Sequence, residues 1–131
     1  MIIIIGETPL SKNQYTNMHW GKRARYKQRI KQHMQCDLLY RNWHENSGLN
    51  GEYERNWEKA QIKFDIYFPE KMKRRRDIQN YLGGGLISWI DNLVDLKIIK
   101  DDSVENIGQP IVEFYDEQDC PRTEITIIKK E

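Results

Sequence analysis

Hydrophobic and polar residues alternate most cleanly between Ala60 and Phe68: Ile62, Phe64, Ile66 and Phe68 fall on one side, Lys63, Asp65 and Tyr67 on the other. A period of two marks a strand with one face on a core, and Pro69 stops it. Ile2 to Ile5 is a continuous β-branched run closed by Gly6, which predicts a strand buried on both faces. Thr8 to Asn13 reads as a loop, with Pro9 and turn-forming polar residues. From about Lys22 to about Trp43 there is neither Pro nor Gly. Ile30, Met34, Cys36 or Asp37, Leu38 and Tyr40 give an imperfect 3.6-residue stripe there, so one long amphipathic helix is predicted. Asn46 to Gly51 ends it with turn chemistry.

The second half repeats the alternation of elements. Gly83-Gly-Gly85 breaks any helix begun at Asn80, and the next segment places Leu86, Trp89, Ile90, Leu93 and Leu96 on one helical face. Lys97 falls at the end of that helix, where a cation suits the dipole. Val104 to Tyr115 reads as a strand bent or bulged at Gly108 and Pro110. Asp116 to Pro121 reads as a hairpin-type turn, and a last strand follows from Thr123 to Lys129 around Ile125, Ile127 and Ile128. The fold class is α+β: one small domain over residues 1–131, a mixed sheet of about four strands with two main helices packed on it. No internal repeat or domain linker interrupts it.

Composition bounds the chemistry. The chain has 131 residues, 38% of them hydrophobic, so a modest single core is expected. A net charge of +1 conceals a local imbalance, because five of the six residues from Lys71 to Arg76 are basic, while acids gather at Asp101-Asp102 and between Asp116 and Asp119. Cys36 and Cys120 form no zinc pattern and read as free thiols in a reducing cytoplasm, the expected location. Met1 to Ile5 is too short for a signal-peptide core, and no run approaches membrane-spanning length. His33 and His44 have no carboxylate or Cys at ligand spacing and read as surface or packing residues.

The organising stretch runs from Lys71 to Asp102. Basic residues attract phosphate, and clustered carboxylates attract a hard divalent cation such as Mg2+. Side by side, they are what hydrolysis of a nucleic-acid backbone requires. The expected metal ligands are Asp77 and Asp102, joined by Asp101, with Mg2+ (Mn2+ as a substitute) the only cofactor. The expected DNA contacts are Lys71, Lys73, Arg74, Arg75, Arg76 and Asn80, with Asn13, Tyr15, Lys22 and Arg23 from the N-terminal part. Between Tyr15 and Tyr26 aromatic and basic groups interleave. That pattern fits phosphate or base contact and equally fits a helix start with its aromatics tucked inward.

The order of these pieces resembles the RusA-type Holliday-junction resolvases. Arg75-Arg76-Asp77-Ile78-Gln79-Asn80, an apolar helix, Asp91-Asn92-Leu93 and then Ile98-Ile99-Lys100-Asp101-Asp102 follow one another with Asp91 ten residues before Asp101. Pro9-Leu-Ser11-Lys-Asn13-Gln-Tyr15 looks like the family's N-terminal motif. The resemblance implies a homodimer that cuts four-way DNA junctions by paired Mg2+-dependent nicks, its two sites related by a two-fold axis. It matches Asp77 to the first catalytic acid, Asp102 to the last and Asp101 to its neighbour. The resemblance also implies a catalytic-site place for Gln79, which stands where an acid is expected and can ligate Mg2+ but brings no charge, and the expected lysine is absent near Gly83 to Gly85, leaving Lys97 or Lys100 as substitutes. The implied function is junction cleavage in recombination and repair; a weakly active or inactive dimer binding branched DNA is the alternative, and a protein pairing Arg74 to Arg76 with a partner's acids is a third reading.

Overall fold

The computed structural model describes residues 1–45, 56–69 and 76–130, the side chains of 41–45 apart. The turn expected from Asn46 to Gly51, the His44 side chain and the basic residues Lys71, Lys73, Arg74 and Arg75 lie outside the described residues. Strand β2 (Ala60–Phe68) buries every second residue and ends just before Pro69, as its alternation requires. It pairs in parallel with β3 (Ile111–Asp116) and antiparallel with β4 (Arg122–Lys129). β1 (Ile2–Ile5) pairs only with β4, giving a mixed sheet of order β1-β4-β2-β3.

One face of the sheet carries the core. Ile3, Ile5, Ile62, Phe64, Ile66, Val112, Ile125 and Ile127 are buried there against α2 (Trp20–Glu45) and α4 (Leu86–Asp95). Helix α2 contributes Tyr26, Ile30, Met34 and Leu38, each four residues from the last, and α4 contributes Leu86, Trp89 and Leu93. Each large apolar side chain so buried is worth roughly 1.5–3 kcal/mol. The Trp89 indole donates to the Tyr26 hydroxyl at 2.7 Å, which also accepts from the Leu10 amide at 3.4 Å. The other sheet face is polar: Lys63 pairs with Asp65 and Glu113, and Tyr67 stacks on Tyr115 with ring centroids 4.7 Å apart.

Several expectations are corrected by this topology. β1 is an edge strand with Ile2 48% exposed, not a strand buried on both faces. Its Ile4 amide, which would otherwise be a bare edge donor, is satisfied by Asp37 of α2 at 2.9 Å. Cys36 and Tyr40 face outward, while Tyr26 joins the buried stripe. The segment expected as a loop through Asn13 contains α1 (Lys12–Thr16), started by a capping box between Ser11 and Gln14. Val104 to Tyr115 is not one bent strand: α5 (Val104–Ile107) forms first, ends at Gly108 with φ 59°, and β3 begins at Ile111. Residues 116–121 are not a hairpin turn, because β2 lies between β3 and β4 and the segment passes its end, with the Glu117 amide on the Phe68 carbonyl at 2.7 Å.

The triple glycine also has another reason. α3 (Gln79–Leu82) and α4 flank it, and Gly83 and Gly85 keep negative φ. A Cβ on Gly84 would meet backbone atoms of Leu10, Ser11 and Lys12 at 2.7–2.8 Å. The glycines are therefore the bed on which the N-terminal segment lies, held by the Gly85 amide on the Leu10 carbonyl at 2.8 Å. Lys97 follows α4 in the left-handed region, φ 58°, with its amide on Val94 and the Ile98 amide on Leu93, so it occupies a Schellman position normally given to glycine.

Candidate functional site

Parallel strands cannot be joined by a tight turn, and the crossover from β2 to β3 carries every candidate acid. Its entry is fixed by Arg76, whose guanidinium carbon lies 3.8 Å from the centroid of the Phe68 ring and whose Nη1 is 3.2 Å from Asp116. Asp77 comes next, exposed, with Oδ1 accepting the Gln79 amide at 3.0 Å as α3 starts. The far end is fixed independently. Trp57 forms a parallel bridge with Ile99, the Lys100 amide donates to the Trp57 carbonyl at 3.0 Å, and Ile98 and Ile99 are fully buried. Asp102 emerges just beyond, its amide accepted by Asp101 Oδ1 at 2.9 Å.

Folded this way, the two ends of the crossover meet. Gln79, Gly83, Ile87, Ile90, Asp102 and Pro110 line a cavity of about 310 Å³. Asp91, in the middle turn of α4, reaches Asp102. Burial raises its pKa above the ordinary carboxylate value, the Asp102 and Asp95 carboxylates raise it further, and Lys27 opposes them. Two carboxylates are thus held near enough for each to feel the other's charge, by elements whose positions are set elsewhere. α4 cannot rotate to relieve them, because Trp89 and Leu93 are buried and the Asn92 amide donates to the Lys27 carbonyl at 3.0 Å.

The expected trio of Asp77, Asp101 and Asp102 is not assembled. Asp77 opens on an adjoining groove of about 670 Å³, which it shares with Arg76, Gln79 and Pro110. Asp101 lines a third cavity with Glu58, Lys100 and Glu105. Among the described residues no three His, Cys, Asp or Glu side chains are grouped to hold a metal ion. The three acids face three different cavities, and Asp77 and Asp101 each turn one oxygen to a backbone amide, of Gln79 and of Asp102. Of the expected acids, Asp102 lines the first cavity and Asp77 the second, and Gln79, Gln109 and Pro110 are common to both.

Sequence reasoning used Asp91 only as a spacing mark. The available signal was the adjacent polar pair Asp91-Asn92 between the apolar Ile90 and Leu93 of a strongly apolar helix. The lysines named as substitutes are engaged elsewhere: Lys100 bonds Glu58 at 3.0 Å, and Lys97 serves the helix end. Of the N-terminal DNA contacts, Arg23 donates to the Thr16 and Met18 carbonyls and covers the Tyr15 ring, so both build the α1–α2 corner. Lys22 is exposed and lines a cavity of about 480 Å³ with Arg25 and Arg29. Asn13 is exposed on α1 and Asn80 half-buried on α3.

The donor set fits a hard divalent cation. The carboxylates of Asp91 and Asp102 and the amide oxygen of Gln79 are all oxygen ligands, without sulfur or imidazole, and Mg2+ completes such a set with water and phosphate oxygens. Burial is the main cause of the raised Asp91 pKa, and the smaller part that comes from the Asp102 carboxylate is what a cation would relieve. No family model and no curated protein matches the chain. Among the described residues no helix is long and apolar enough to cross a membrane.

Proposed function

We propose that this protein is a Mg2+-dependent, structure-selective endodeoxyribonuclease of the RusA type, acting in the cytoplasm as a homodimer on four-way DNA junctions. The observation that carries the reading is that Asp102, which lines one cavity with Gln79, also neighbours the Asp91 carboxylate of α4. The order of motifs along the chain supplies the junction-resolving part. Asp91 and Asp102 would hold the cation, with Gln79 as a neutral third ligand. A bound Mg2+ would polarise a phosphodiester and lower the pKa of a water. Asp77, on the adjoining groove, is placed to accept a hydrogen bond from a water or a sugar hydroxyl, and Arg76, tied to Phe68 and Asp116, keeps that groove in shape. Exposed Lys22 and Arg25 would contact phosphates farther along the duplex arm.

A synthetic four-way junction, incubated with the protein and Mg2+, tests this. Paired nicks that Asp102→Asn and Asp91→Asn each reduce at least a hundredfold are expected, and wild-type cleavage by both variants would defeat the site assignment. The neutrality of Gln79 favours a second reading, a branched-DNA-binding dimer without turnover. Junction binding with steep salt dependence and no nicking in Mg2+ or Mn2+ would select it. Gln79→Asp raises Mg2+ affinity if only a carboxylate is wanting.

A further inference from the structure

The cavity between Gln79 and Asp102 is lined by one carboxylate and by no basic side chain, so a phosphodiester entering it needs a cation from elsewhere in the protein as well as any metal. Lys27 pairs with Asp95 at 3.1 Å and Lys100 with Glu58, so neither is available. Lys12 is. It is exposed and has no ion pair among the described residues. Its Cδ lies 3.7 Å from where a side-chain carbon on Gly83 would sit, and Gly83 is part of the cavity wall. The stem therefore lies beside a glycine of the cavity wall, and the ammonium, two bonds farther out on a flexible chain, is free to swing toward the cavity. A cation in the first turn of a helix opposes the helix dipole, so local helix energetics does not explain Lys12 at the start of α1. What fixes it is the close seating of Leu10 to Lys12 on Gly84 and Gly85. The glycine run thus does two things: it admits the N-terminal segment and leaves the rim clear for its lysine.

We propose that Lys12 is the cationic, phosphate-contacting residue of this site, brought from the N-terminal segment across Gly83 to the substrate phosphodiester. The proposal rests on the nuclease reading for its substrate, and the experiment separates the two. Full-length wild type, Lys12→Ala, Lys12→Arg and the double variant Lys12→Ala/Gly83→Lys are compared on one four-way junction, for binding against salt without divalent metal and for single-turnover cleavage at saturating protein with Mg2+. Gly83 has an ordinary φ of −88°, and with the Lys12 stem removed its added Cβ meets the Gln79 carbonyl at 3.0 Å, a tight contact that a shift of a few tenths of an ångström relieves; the urea midpoint of the double variant checks that it folds as wild type does. Lys12→Ala is expected to lower the slope of log affinity against log salt by about one phosphate contact. It is also expected to slow cleavage by about ten- to a hundredfold even when the junction is saturated. Lys12→Arg retains the slope, and Gly83→Lys restores slope and cleavage to Lys12→Ala. Unchanged slope and rate in Lys12→Ala, with wild type binding and cutting, overturn the Lys12 assignment alone. If wild type binds without cutting, the nuclease reading falls and the slope decides Lys12; if it does not bind, both fall.

Discussion

Replacing Gly84 by alanine adds one methyl group, and its consequence can be worked from contacts. The added Cβ would sit 2.7 Å from the Lys12 nitrogen and the Ser11 carbonyl carbon and 2.8 Å from the Leu10 oxygen. These are backbone atoms, so relief requires the N-terminal segment to lift as a unit. Overpacking of this kind costs about 1–3 kcal/mol, and lifting the segment breaks the Gly85–Leu10 hydrogen bond, worth about another 1 kcal/mol. The expected destabilisation is roughly 2–4 kcal/mol, a fall in Tm of about 8–15 °C for a chain of this size. Gly6→Ala is the control, since nothing lies within 4 Å of its added carbon and the loss of backbone freedom in the unfolded chain leaves it neutral or stabilised by up to about 1 kcal/mol. Urea denaturation followed by tryptophan fluorescence reads both. A Gly84→Ala protein as stable as Gly6→Ala would mean that the N-terminal segment does not lie on the glycine bed, and the route of Lys12 to the site would go with it.

Other substitutions report on separate parts of the argument. Tyr26→Phe leaves the buried Trp89 N–H and the Leu10 amide without an acceptor and should cost roughly 1–3 kcal/mol in urea denaturation. Lys97→Gly removes a side chain from a left-handed position and should gain roughly 0.5–1 kcal/mol, read as a higher urea midpoint. Asp91 has a folded pKa above its unfolded value, so its contribution to stability is fully present below the unfolded pKa and is lost as pH rises through the folded one. Asp91→Asn should therefore be more stable than wild type at neutral pH in a chelator, with the gain shrinking as pH falls into the ordinary aspartate range; a gain independent of pH would remove the electrostatic explanation.

The sequence made legible what depends on strong local pattern. The period of two in β2 and the stripe of α4 follow directly from where their apolar residues fall. β1 was misjudged because four β-branched residues look alike whether a strand is central or at an edge, and the Asp37 that closes the edge lies far along the chain. The short helices α1 and α5 carry too few residues for a periodic signal, although Ser11 and Gln14 offered a capping box. At the candidate site, Asp102 and Gln79 were legible as chemistry, but their grouping depends on where Trp57 and α4 place the two ends of the crossover. Asp91 and Lys12 were hidden for the same reason: one looked like the polar side of a helix, and the other reaches the rim only because three distant glycines lack side chains.

The most direct test of the account is a calorimetric titration of the protein with Mg2+ and Mn2+, repeated on Asp91→Asn and Asp102→Asn. The account predicts saturable divalent binding in wild type that each single substitution weakens at least tenfold. Equal affinity in all three proteins, or no binding by wild type, would contradict it.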